Sequence, residues 1–139
     1  MKGWTEVERA ITLNSKNVFL ELRANDDAYV AFLDVPFAFE VSELGGTALR
    51  IAMNVLVESQ VKVLVMDSAT FRQLVRLRER EGGLDAWIIS VTPLEQRFSF
   101  SLGQAYPKSA DEMLLADQVG KHGMLHDLEK VCTQPVEMR

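Results

Sequence analysis

Cysteine and long hydrophobic runs are what this sequence has least of. Cys132 is the single cysteine in 139 residues, which rules out an internal disulfide and a cysteine cluster for zinc. No apolar run approaches the roughly 20 residues that a membrane-spanning helix requires. Residues 1–15 carry Glu6, Glu8 and Arg9 where a secretory signal would be apolar. We therefore expect a cytoplasmic protein with no membrane segment.

An excess of positive charge is also missing. The formal net charge is −5, which argues against a protein that coats nucleic acid by bulk electrostatic attraction. A local basic groove is compatible with this balance. Hydrophobic residues make up 47% of the chain and charged residues 25%, and this composition fits one compact soluble domain with a substantial core.

The sequence also lacks the usual signatures of catalysis. His122 and His126 are spaced as zinc ligands can be, but no glutamate stands between them to act as a base, and a surface helix explains them better. Neither glycine pair, at 45–46 or 82–83, has the lysine and hydroxyl residue of a phosphate loop. No nucleophile elbow is present. We expect a non-enzymatic protein without a metal or cofactor.

Hydrophobic periodicity predicts the order of secondary structure. A short helix at residues 2–11 precedes strands at 17–23, 28–33, 48–57 and 61–66. A helix capped by Ser68 follows, then a strand pair at 86–91 and 97–102. Residues 109–131 are predicted to be helical, with Ser109 as the cap and a weak point between Gly120 and Gly123.

Strands, one helix and then a hairpin is the order of a five-stranded Greek-key barrel of the OB type. In that fold the helix between strands three and four plugs one end of the barrel. The prediction is therefore a mainly β protein, with the barrel and the short N-terminal helix in residues 1–108 and a C-terminal helical extension in 109–139. Another small β-barrel and an α+β sandwich fit the same order of elements.

Two stretches resemble phage-type single-stranded DNA-binding proteins with an OB fold. They are RIAMNVLVESQVKVLVMDSATFRQLVRLREREGGLDAWIISVTPL, at residues 50–94, and YVAFLDVPFAFEV, at residues 29–41. The resemblance covers roughly residues 17–105. It implies a protein that coats and protects single strands during phage or prophage replication or recombination, in the host cytoplasm.

The sequence departs from this family in two places. Many relatives carry a Cys/His zinc cluster between the second and third strands, where this chain has SELGGTA, so zinc is not carried over. Relatives commonly end in an acidic tail that recruits replication or recombination proteins, whereas this chain ends in TQPVEMR. Recruitment of such partners is therefore left open.

A single-strand binder needs cations along the phosphates and flat aromatic faces for the unstacked bases. Side chains predicted to face outward from the strands, or to flank the bend at Pro36, supply both. Phe32, Trp87, Phe98 and Phe100 are assigned to the core instead. The candidate DNA-binding residues are Phe19, Arg23, Phe37, Phe39, Arg50, Asn54, Lys62 and Arg97.

Two features stay outside this candidate groove. Arg72, Arg76 and Arg80 recur every fourth residue on the first long helix, which we interpret as its solvated face, with a second DNA track or a partner surface as alternatives. The apolar side chains of residues 109–131 must pack on their own barrel or on another chain, which leaves a homo-oligomer open. The alternative function is a protein-interaction β-barrel, such as a phage assembly or accessory protein, docking through this helix.

Overall fold

A computed structural model describes residues 18–23, 26–43 and 45–133. The predicted helix at 2–11 and the first residue of the predicted strand at 17–23 lie outside the described residues. The described chain is mainly β, as predicted. Its strands are β1 (Ala28–Phe32), β2 (Phe37–Glu43), β3 (Gly46–Val57), β4 (Gln60–Asp67), β5 (Trp87–Pro93) and β6 (Phe100–Pro107), and its helices are α1 (Ser68–Glu81), α2 (Ala110–Lys121) and α3 (Leu128–Thr133).

The strands form one six-stranded antiparallel sheet in the order β2-β3-β1-β5-β6, with β4 paired to β3. In the part of the chain that the structure describes, β4 and β6 do not pair, so the ladder is not closed into a barrel. The predicted five-stranded OB barrel is therefore not confirmed. The helix α1 follows the fourth of six strands, whereas a five-stranded OB barrel has it after the third.

Strand β3 is the longest strand and organises the sheet. It pairs with β4 along residues 50–57, with β2 along 46–52, and with β1 at Val55 and Leu56. Because β4 occupies one edge of β3, β1 and β2 follow one another along the other edge. Phe32 lies opposite Val55 and Phe37 opposite Ala52, so the break between β1 and β2 spans only residues 33–36.

Two strand predictions differ from the structure. With the other described residues, the segment 18–23 makes one isolated parallel bridge, between Phe19 and Val63, with the Leu20 nitrogen 2.9 Å from the Val63 oxygen. Strand β2 is absent from the prediction, which has only a bend at Pro36 in this region. Proline has no N–H to donate within a strand ladder, but it is tolerated at the position just before a strand begins.

Helix α1 fills the gap between β4 and β6. The Asp67 carboxylate caps it by accepting a 2.8 Å hydrogen bond from the Thr70 nitrogen, in place of the predicted cap Ser68. Two α1 side chains bond the edge of β6. The Phe100 nitrogen donates to Thr70 Oγ1 at 3.0 Å, Gln73 Nε2 donates to the Phe100 oxygen at 3.0 Å, and the Leu102 nitrogen donates to Gln73 Oε1 at 3.2 Å. These side chains stand where a neighbouring strand would.

The main core lies between one face of the sheet and α1. On β3 the predicted alternation is confirmed, since Ile51 and Met53 point into this core while Arg50 and Ala52 point to the opposite face. Each fully buried aliphatic side chain contributes about 2 kcal/mol by leaving water. The buried members are Ala28, Val30, Phe32, Ile51, Met53, Val55, Leu64, Met66, Leu74, Leu77, Ile89, Val91 and Phe100, with Trp87 packed against them.

The C-terminal helices pack on the opposite face of the same sheet. Leu115 and Ala116 of α2 contact a cluster around Leu56, and Leu128 of α3 is buried against Ala52 and Val63. Ser109 caps α2, as predicted, and the structure adds a reciprocal capping box with Glu112. The apolar side of this region is thus largely satisfied within its own chain. None of the described helices is both long enough and apolar enough to cross a membrane.

Asn54, a predicted DNA contact, is instead fully buried and joins three parts of the molecule. Its backbone and side-chain nitrogens donate to the two Asp34 carboxylate oxygens, at 3.0 and 2.8 Å. Its amide also donates to the His126 carbonyl at 3.0 Å and accepts from the His126 nitrogen at 2.9 Å. Asn54 therefore holds the α2–α3 connection and the β1–β2 break against β3, and it is not exposed to a ligand.

We predict that Asn54→Leu lowers the free energy of unfolding by about 2 to 3 kcal/mol, because it removes the side-chain partner of one Asp34 oxygen and of the His126 nitrogen and carbonyl, while the backbone bond to Asp34 remains. Urea denaturation followed by circular dichroism measures this. The control is Gln118→Ala, which removes an exposed amide and should change the value by less than about 0.5 kcal/mol. Equal effects of the two variants would contradict the prediction.

Candidate functional site

An open groove of about 690 Å³ lies on the face of the sheet that carries the C-terminal helices. Its floor is formed by β2, β3 and β4 through Phe39, Arg50 and Val65. Three segments form its walls, which are residues 19–22, the β5–β6 loop at 94–99, and the end of α3 at Val131 and Cys132. The groove therefore depends on parts of the chain that are distant in sequence.

A phenylalanine ring in contact with two arginines is the main feature of this groove. The guanidinium carbon of Arg50 lies 4.9 Å from the centre of the Phe98 ring, and that of Arg97 lies 4.8 Å from it. Both distances are typical of cation–π contacts. Phe98 has a backbone φ of 69°, in the left-handed region that residues other than glycine rarely adopt. Its surroundings must offset the cost of this conformation.

Asp67 supplies part of that support. Its backbone nitrogen donates to the Phe98 oxygen at 2.8 Å, and Ser99 Oγ donates to its carboxylate. Arg50 lies directly opposite Asp67 in the β3–β4 ladder. Asp67 thus fixes the β5–β6 loop and one of the two arginines while it also caps α1.

The charge state of Asp67 follows from these contacts. Burial of the carboxyl disfavours ionisation, but hydrogen bonds from Ser99 and Thr70 and the nearby Arg50 guanidinium outweigh it. Together they hold the pKa of Asp67 below its usual value of 3.8. Asp67 is therefore an anion at neutral pH.

The groove is close to neutral overall. Its lining side chains include the cations Arg50 and Arg97 and the carboxylates Glu21 and Glu95. Apolar and aromatic side chains make up much of the remaining lining. Burial raises the pKa of the Cys132 thiol to about 11, so this thiol is protonated at neutral pH and is a poor nucleophile.

Four of the eight predicted site residues line the groove, namely Phe19, Phe39, Arg50 and Arg97. Phe37 stands beside it, because its ring stacks on that of Phe39 with centres 6.0 Å apart and planes 17° apart. Phe37 also packs in the cluster under α3, so only part of its ring is accessible.

The other three predicted site residues are not in the groove. Asn54 is buried, as described above. Lys62 lies opposite Val55, and opposite residues of an antiparallel pair share a face, so Lys62 belongs to the core side of the sheet. Arg23 is exposed at the end of the segment 18–23 and is not among the residues that line the groove.

Phe98 is the groove residue that the sequence prediction missed. Its assignment to the core came from extending the last strand back to Arg97, whereas β6 begins at Phe100. The polar stretch of Glu95, Gln96 and Arg97 was the available signal, because it continues the turn beyond Pro93 and favours a loop. In a loop, the neighbouring arginine would mark Phe98 as a candidate.

No group of three or more histidine, cysteine, aspartate or glutamate side chains in the described ranges is arranged to hold a metal ion. The two histidines do not share a helix surface, contrary to the prediction. His122 is exposed at the end of α2, while His126 lies in the α2–α3 connection with Nε2 2.9 Å from the Val61 oxygen.

The chain matches no protein-family model, no curated protein and no solved structure. The geometry of the groove is therefore the basis for a functional proposal.

We predict that Asp67→Asn destabilises the protein at pH 7 and that this difference shrinks at low pH. The folded-state pKa of Asp67 is lowered, so the stability that its ionised form contributes is present above about pH 3.8 and is lost as the pH falls through the folded pKa. Urea denaturation at pH 7 and at about pH 3 gives the two differences. The exposed Asp26→Asn is the control. A difference for Asp67→Asn that does not vary with pH would contradict the assignment.

Proposed function

We propose that this groove binds single-stranded DNA and that the protein is a non-catalytic single-strand-binding protein. The observation that carries the proposal is the contact of the Phe98 ring with the guanidinium groups of both Arg50 and Arg97, at the wall of an open groove. Single-strand binding combines cations that contact the phosphates with aromatic faces on which the bases stack. Phe39 and Phe19 add further aromatic surface to the same lining.

The order of strands supports an OB-type arrangement within this proposal. Strands β1 and β2 lie along one edge of β3 with a break of four residues, so we take them as two halves of one bent strand. Counted in this way, the sheet has five strands and α1 follows the third. The groove then lies on the face of strands two and three beside the loop between strands four and five, where OB folds bind oligonucleotides.

The two arginines have different roles in this proposal. Arg50 is on β3 and is held between Phe39 and Asp67 in the neighbouring strands, which makes it a fixed phosphate contact. Arg97 is exposed in the loop. When Arg97 turns to a phosphate, it uncovers one face of Phe98 for a base. Protection of single strands in phage or prophage replication or recombination is the role that the sequence resemblance suggests.

A protein-interaction role is the second candidate. It is favoured by three apolar side chains that remain exposed on and after α2, with exposed fractions of 51% for Met113, 57% for Leu114 and 57% for Met124. In that case Leu114→Glu would lower the mass of an assembly in light scattering, and Phe98→Leu would leave the mass unchanged. Homo-oligomers and replication or recombination partners belong to this candidate.

We predict tighter binding to single strands than to duplex, with little dependence on base sequence, because stacking uses a face that every base has. Fluorescence anisotropy with labelled single-stranded and double-stranded oligonucleotides measures this. Two lining arginines correspond to a slope of about −1.4 for the logarithm of affinity against the logarithm of salt, at about −0.7 per neutralised phosphate. Equal or tighter duplex binding would overturn the proposal.

We predict that Phe98→Leu weakens single-strand binding by about tenfold or more, because leucine keeps the apolar volume and loses the flat ring. The control is Tyr29→Leu, which removes a 54% exposed aromatic side chain outside the groove and should leave the affinity unchanged. Circular dichroism and urea denaturation of both variants verify folding. Unchanged affinity in folded Phe98→Leu would show that this ring does not contact DNA.

A further inference from the structure

Strand β6 ends the sheet, and part of its outer edge has no strand partner among the residues that the structure describes. Its strand partner among the described residues is β5 alone. Thr70 and Gln73 of α1 bond this edge at Phe100 and Leu102. Beyond Leu102, no described strand pairs with it. A strand edge of this kind offers backbone N–H and C=O groups to an extended peptide.

A depression of about 220 Å³ lies between this edge and α1. Its apolar part comes from Leu77 and Leu102, and its polar rim carries the guanidinium groups of Arg76 and Arg80. Position 103 of the strand is a glycine and has no side chain. A Cβ atom there would clash with Ser90, because it would lie 2.5 Å from Ser90 Oγ. The lining residues are Gln73, Arg76, Leu77, Arg80, Leu102 and Gly103.

The arginine row of α1, which consists of Arg72, Arg76 and Arg80, is exposed along its length. Arg80 contacts Glu81 of its own helix at 3.1 Å, and both are accessible to solvent. Neither Arg72 nor Arg76 has an ion pair with a carboxylate of the described residues. The row is therefore a local positive surface on a chain whose net charge is −5.

We propose that the β6 edge and the arginine row form a docking site for an extended acidic peptide segment of a partner protein. The segment would add a strand to β6, where backbone hydrogen bonds supply affinity and alternate side chains supply specificity. Side chains alternate between the two faces of a strand, so its carboxylates would lie on the face toward α1, where they meet Arg76 and Arg80 and their methylene stems lie over Leu77 and Leu102.

The lining of this depression favours a peptide over a nucleic acid as the ligand. None of its lining residues is aromatic, so it lacks the stacking faces of the groove around Phe98. The two sites share no lining residue, although Phe100 at the start of β6 belongs to the groove. The docking site is therefore independent of the proposed DNA-binding function.

The test uses the full chain and a short fluorescent peptide in which glutamate and valine alternate. The peptide should bind in anisotropy measurements, and Arg76→Glu should weaken binding by about tenfold because attraction becomes repulsion. The control Arg78→Glu changes a neighbouring exposed arginine that does not line the depression, and it should change affinity by less than about twofold. In NMR spectra, the backbone amides of residues 103–106 should shift on binding.

Two altered peptides test the mode of binding. Lysine in place of glutamate should abolish binding, and proline in place of the valines should abolish it too, because proline has no N–H for the added strand. The proposal is overturned if the lysine peptide binds equally well, if Arg76→Glu and Arg78→Glu behave alike, or if Arg76→Glu weakens binding of a labelled oligonucleotide but not of the peptide. It is also overturned if light scattering shows self-association that the acidic peptide reverses, since the occupant would then be a second copy of the chain.

Discussion

The carboxylate of Asp67 accepts a hydrogen bond from the first turn of α1 and another from Ser99 in the β5–β6 loop. Its backbone nitrogen bonds the carbonyl of Phe98, and Arg50 stands opposite it on β3. One residue thus sets where α1 begins and where the loop lies over the groove. The positions of both arginines relative to the Phe98 ring depend on this junction, and so does the shape of the groove.

The edges of β4 and β6 differ in what covers them. Side chains of α1 bond part of the edge of β6, and the segment around Phe19 bridges the edge of β4. From Gly103 onward, no described strand covers the edge of β6. Because unpaired backbone groups in a sheet tend to find partners, each edge becomes either a structural contact or an opportunity for binding. At the groove, the edge of β4 is a structural contact with the segment around Phe19. At the proposed peptide site, the open edge of β6 is available for binding.

Net charge is a poor guide to the surfaces of this protein. The chain is acidic overall, yet two of its arginines lie beside Phe98 and four lie along α1. Glu21 and Glu95 share the groove with Arg50 and Arg97, so in the proposed binding of single strands we expect aromatic stacking to supply a larger part of the affinity than phosphate attraction. Electrostatic screening in solution strengthens this inference, since the contribution of exposed charges falls with salt.

The sequence by itself determined what depends on short-range periodicity. The alternation in β3 and β4, the 3.6-residue pattern of α1 and the capping box at Ser109 all follow from neighbouring residues, and each is present in the structure. Only the tertiary structure decided which polar side chains are buried and which loops meet. Asn54 alternates with core residues just as Arg50 does, but the α2–α3 connection covers it. By its pattern Phe98 resembles one more strand residue, but its contact with Asp67 places it in the groove. The physical reason is that the exposure of a side chain depends on elements that pack against it from far along the chain.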